Sequence, residues 1–89
     1  MPSNNYSHLT TAGTTVLATG SCVLHTVTLN GAAAATLTLY DNTAASGNVI
    51  CVITTTTSTS LGTIALDVLC RTGLTAVVTG TNDFTVSYG

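Results

Sequence analysis

Ala35-Thr36-Leu37-Thr38-Leu39-Tyr40 is the stretch that decides the fold. Side chains on a strand alternate between its two sides, so Leu37 and Leu39 share one face while Thr36, Thr38 and Tyr40 share the other. A helix would need apolar residues three and four apart, and no such period is sustained anywhere in the 89 residues. Downstream, Asp41 to Asn48 breaks the pattern with turn-forming residues, and a second apolar run follows at Val49–Thr54. Upstream, Asn30-Gly31 reads as a hairpin turn between two strands, since both residues accept positive φ. The alanines that follow, Ala32 to Ala35, are too few to nucleate a helix and read as a loose strand edge or close-packed turn. The same alternation between breaks rich in Gly, Asn or Asp gives further strands at Tyr6–Thr11, Thr14–Ala18, Cys22–Leu29, Thr63–Cys70, Thr75–Thr79 and Phe84–Tyr88. The chain therefore reads as all-β: a small antiparallel β-sandwich or jelly roll of about six to eight strands. One such domain over 9–89 follows an extended, polar N-terminal arm over 1–8 that is expected to reach a neighbouring subunit.

The strand faces carry the next inference. Ile64, Leu66, Val68 and Cys70 oppose Thr63, Ala65, Asp67 and Leu69, while Phe84, Val86 and Tyr88 oppose Thr85 and Ser87. Val49–Ile53 is apolar on both faces. A solvated sheet face usually carries Lys and Glu, and this chain has neither. Asp41, Asp67, Asp83 and Arg71 are its whole ionic inventory, 4% of residues against about a quarter in an average soluble domain. A surface so short of charge suits fixed protein contacts better than free diffusion. A homo-oligomer is expected, with Val49 and Ile53 as interface candidates on the two-faced strand and Leu69 on its own strand. Asp67 and Arg71, about 13 Å apart on one strand face, are candidates for a pair between subunits. Tyr6 and His8 are the candidates on the arm.

Catalytic chemistry finds little to work with. The three cysteines, Cys22, Cys51 and Cys70, have apolar neighbours and no CxxC spacing, and read as reduced, buried small hydrophobes of a protein made in a reducing cytoplasm. His25 lies three residues from Cys22, on the opposite strand face, so the two cannot share a metal; it aligns with Val23 and Val27 and reads as a partly buried packing residue. Asp41-Asn42-Thr43 reads as a self-stabilised turn. A calcium site there would have to draw on Asn82 and Asp83. Asn5-Tyr6-Ser7 matches a glycosylation acceptor but reads as an ordinary polar segment. One Arg and no Lys give no electrostatic footprint for nucleic acid. Mean hydropathy is +0.54, yet no apolar run approaches the ~20 residues of a spanning helix. The first eight residues have neither the cationic nor the apolar region of a signal peptide. The expectation is a protein that is not an enzyme and has no catalytic residue, cofactor, metal, small-molecule substrate, nucleic acid or membrane partner.

Leu37-Thr38-Leu39-Tyr40-Asp41-Asn42-Thr43-Ala44-Ala45-Ser46-Gly47-Asn48-Val49-Ile50 resembles the "strand, Tyr-Asp, Thr, Ser-Gly, strand" hairpin of small tailed-phage virion proteins. Val23-Leu24-His25-Thr26-Val27 and Asp83-Phe84-Thr85-Val86-Ser87-Tyr88 are similar to strands of that group. The resemblance implies a capsid decoration (cement) protein: a compact β module, a homotrimer on the outer surface of the phage head, partnered by the major capsid protein. Its implied location is the virion. The three cysteines and the Thr54–Ser60 run have no counterpart in that pattern. Two alternatives remain open. One is a head-fibre or tail module, and the other is a carbohydrate-binding sandwich, which would need two of Tyr6, Tyr40 and Tyr88 exposed on one surface.

Overall fold

The computed structural model describes residues 5–89. Eight strands form: β1 (Asn5–Leu9), β2 (Gly13–Thr19), β3 (Cys22–Leu29), β4 (Ala35–Asp41), β5 (Asn48–Thr55), β6 (Gly62–Cys70), β7 (Gly73–Gly80) and β8 (Phe84–Tyr88). They make two four-stranded antiparallel sheets, β1-β8-β3-β6 and β2-β7-β4-β5. The protein is an all-β sandwich, and no helix occurs among the described residues.

The pairing is nested. β4 pairs with β5, β3 with β6, β2 with β7 and β1 with β8, so the chain forms one long ribbon folded at the 42–47 turn. The ribbon then doubles over, and β3–β8 and β4–β7 pairing closes each sheet. Successive strand pairs of the ribbon alternate between the two sheets, so the apolar face of each sheet is covered by the other sheet.

Asn30-Gly31 is not a hairpin turn. β3 and β4 lie in different sheets, and 30–34 is the crossing between them. Gly31 is there for space: a Cβ on it would come within 2.5 Å of Asn82 Oδ1. The expected arm over 1–8 is described from Asn5 onward. Residues 5–8 belong to β1 and pair with β8 of their own chain, Asn5 opposite Tyr88 and His8 opposite Thr85. Residues 1–4 of that expected arm lie outside the described residues.

The core is drawn from the inner strands. Leu24, Val27 and Leu29 of β3, Leu37 and Leu39 of β4, Leu74, Ala76 and Val78 of β7, and Phe84 and Val86 of β8 are all buried. The register of β3 slips against both neighbours between Leu24 and Thr26. This bulge reverses the strand's alternation, so Leu24 and Val27, three residues apart, are both buried. His25 therefore does not share a face with Val27 as the simple alternation expects. It sits half-buried at the bulge, opposite the stretch of β6 where Asp67 takes a left-handed φ of 50°.

Candidate interaction surface

β1 and β2, joined by the short connection 10–12, are the edge strands on one side of the sandwich, and β5 and β6 are the edges on the other. On the β5/β6 flank the core is incompletely covered. Ile50, Cys51 and Ile53 of β5 and Ile64 and Leu66 of β6 pack against the core yet stay half-exposed. Outside them, Val49 (51% exposed), Val52 (57%) and Leu69 (58%) face solvent, as does Leu61 (60%) in the connecting loop. Edge strands of eight and nine residues with open backbone groups usually carry Lys, Pro or a covering loop. This pair carries one charge, Asp67.

The candidates named from sequence divide across the two sides. Val49, Ile53, Asp67 and Leu69 converge on the flank, though Ile53 faces inward, paired with buried Leu37, and Val52 is its outward neighbour. Tyr6 (73% exposed) and His8 lie on β1, on the far side. Arg71 lies in the turn between β6 and β7. Asp67 and Arg71 do not pair within the chain. Asp67 Oδ1 lies 3.6 Å from His25 Nδ1, because the left-handed residue re-aims it toward β3.

The other two aspartates hold chain connections. Asp41 Oδ1 accepts from the backbone N–H of Arg71 (3.0 Å), Thr72 (2.9 Å) and Gly73 (3.4 Å). Three successive amides converging on one carboxylate form a small anion nest. The Thr72 and Arg71 amides hold the Asp41 carboxyl below its ordinary 3.8. Asp83 Oδ1 accepts from Asn30 Nδ2 (3.0 Å) and from His8 Nε2 (2.6 Å), which clasps β1 to the β7–β8 connection. Asn30 first, then His8, keeps the Asp83 carboxyl below the usual range. The structure does not bring Asp41 and Asp83 together: Asp41 lies where β7 begins, and Asp83 lies past its far end. Among the described residues no three His, Cys, Asp or Glu side chains cluster as metal ligands.

A lowered carboxylate pKa means stability that is present above 3.8 and lost as pH falls through the lower folded value. Asp41→Asn is expected to lower the thermal midpoint at pH 7 and to flatten its decline on the acid side. Calorimetry from pH 2 to 7 checks this; parallel wild-type and variant curves would contradict the nest.

All three cysteines are free. Cys22 and Cys70 are buried and directly opposed across β3 and β6, and burial, then the neighbouring Cys22, pushes the Cys70 thiol up to about 12. Cys51 is half-buried on β5, opposite Leu39. Of the tyrosines, Tyr6 alone is exposed. Tyr40 and Tyr88 are half-buried on different sheets, so no two-ring platform for a sugar forms.

Sequence reasoning missed the polar network at the 30–34 crossing, where Asn82 Nδ2 donates to Gly31 O and Thr55 Oγ1, both at 3.0 Å. Nothing in the local alternation marks Asn82 as buried. No family model, curated protein or solved structure matches this chain.

Proposed function

We propose that this chain is a non-enzymatic structural module that assembles with copies of itself through the β5/β6 flank and serves as a decoration (cement) protein on the outer surface of a phage head, against the major capsid protein. The observation that carries the reading is that flank: two open edge strands, half-covered inward apolar residues, and one charge. A second copy is its fitting occupant, because an open edge pairs with another open edge and the exposed valines and leucine add apolar area beside a single charge, Asp67. With β5 of one copy against β6 of the next the contact is head-to-tail, and a ring of three closes it.

Other features agree. The nested strand order β1-β8-β3-β6 over β2-β7-β4-β5 supports reading the sandwich as a jelly roll, a fold that viral capsid modules and lectins share. Fold alone does not assign function, so the phage reading also leans on the Leu37–Ile50 resemblance. The outer face of the second sheet fits a lattice contact. Thr36, Thr38 and Tyr40 of β4, Val52 and Thr54 of β5 and Val77 and Thr79 of β7 share it by register, and it has no carboxylate, amine or guanidinium. Many weak contacts of this kind, multiplied over a lattice, give cumulative attachment.

Light scattering of the purified chain in low and high salt tests the assembly. The expected result is a salt-insensitive trimer that Val52→Asp with Leu69→Lys converts to a folded monomer. A wild-type monomer at all concentrations would overturn the self-assembly. Mass spectrometry of particles carrying the encoding genome tests the virion role: the chain is expected in stoichiometric copies, and its absence removes the cement reading.

A further inference from the structure

We propose that Cys22 and Cys70 are a disulfide-forming site, a covalent rung between β3 and the edge strand β6 that closes when the protein meets a small-molecule disulfide such as oxidised glutathione. The two residues are register partners at the open end of the β3–β6 ladder. Three backbone hydrogen bonds define the kind of rung. Gly20 N donates to Thr72 O at 2.9 Å, two residues further along the same alignment, and Val23 exchanges both its backbone bonds with Gly89 on the β8 side. The backbone groups of Cys22 therefore point toward β6, and Cys22–Cys70 is a hydrogen-bonded pair with Cα atoms about 5.5 Å apart. Disulfides span about 4.4–6.8 Å between Cα atoms. Opposed residues project to the same side of their sheet, and both side chains point into the sandwich, at 9% and 0% exposure.

The order of events follows from burial. Cys22 begins β3, next to the exposed turn residues Gly20 and Ser21, and is the sulfur a reagent meets first. Its thiolate attacks one sulfur of oxidised glutathione, forming a mixed disulfide and releasing one glutathione. The Cys70 thiolate then attacks the Cys22 sulfur, closing the protein disulfide and releasing the second glutathione. Two protein thiols are oxidised and one reagent disulfide is reduced to two thiols, so atoms and electrons balance. The raised Cys70 thiol makes the second step slow in the folded state. Cys51 has Leu39, not a cysteine, opposite it, and is left out.

The test uses the wild-type chain. It is incubated with oxidised glutathione, unfolded in an alkylating reagent and digested with chymotrypsin, because Arg71 gives trypsin no cut between the cysteines. The expected products are a linked peptide pair joining Cys22 to Cys70, with a mass loss of two hydrogens, and an alkylated Cys51. The thermal midpoint rises on oxidation and returns with dithiothreitol, and Cys51→Ser behaves alike. Alkylation of all three cysteines, a glutathione left on Cys22, or a bond to Cys51 would each overturn the assignment.

Discussion

Phe84→Ala is expected to cost about 3–5 kcal/mol, the range for emptying a buried aromatic site. Phe84 is the sole phenylalanine of the chain and is fully buried. β8 lies between β1 and β3, and the ring sits on the rung that joins Leu9, Phe84 and Leu29 across the sheet. The rest of the core is Leu, Val, Ala and Cys, whose short side chains cannot extend into the space a ring leaves. A domain of this size holds on the order of 5–10 kcal/mol in all, so the variant loses a large share of its stability. Phe84→Leu retains most of the volume and is expected to lose about 1–1.5 kcal/mol. Ser87→Ala, on the outward side of the same strand, is expected to stay within about 0.5 kcal/mol. Urea melts with unchanged slope measure all three. A Phe84→Ala loss below about 1 kcal/mol would mean that the cavity collapses and the ring is not what holds the two sheets together.

The eight strands are legible in the sequence because alternation is a local signal: Cys22–Leu29 and Phe84–Tyr88 are read to the residue. Which strands pair is not local. Asn30-Gly31 carries the signature of a tight turn, yet the residues it joins must separate to opposite sheets, because the apolar face of β3 has to be covered by β4 and β7 rather than extended by them. The bulge at His25 is hidden for a similar reason: one extra residue moves Val27 into the core, and only the partners' register reveals it. On the flank, the two-faced apolar pattern of Val49–Ile53 is visible early, since no single sheet can bury both sides. Which side stays bare depends on β5 being an edge strand, and that is a property of the topology. Asp67 shows the same limit. Its partner is chosen by a left-handed backbone turn, so strand spacing led to Arg71 instead of His25.

Asn82→Ala is expected to cost about 2–3 kcal/mol although its hydrogen bonds reach Gly31 and Thr55 and no apolar side chain, because it strands polar groups rather than opening a large void. Asn82 is 6% exposed and Thr55 2% exposed. The Asn82 amide donates to Gly31 O and to Thr55 Oγ1, and Thr55 Oγ1 in turn donates to Ala33 O at 2.7 Å. Three separate connections meet at this knot: the β3–β4 crossing, the end of β5 and the β7–β8 loop. Replacing the amide by a methyl leaves the Gly31 carbonyl and one Thr55 lone pair facing the interior. Asn82→Asp is expected to be worse near neutral pH. It swaps the donor for an acceptor and buries a charge far from Arg71, which lies at the other end of the sandwich. Burial without donors raises that carboxyl's folded pKa, so the deficit must shrink as the pH falls and the acid regains a donor. Thr55→Val removes the acceptor and the donor together, and combined with Asn82→Ala it is expected to cost about 1 kcal/mol less than the sum of the single losses. Denaturation of the wild type and the four variants at pH 7 and pH 4 measures both effects. Strict additivity, or an Asn82→Asp deficit that does not change with pH, would mean that the three connections are held independently and that the crossing owes its path to Gly31 packing alone.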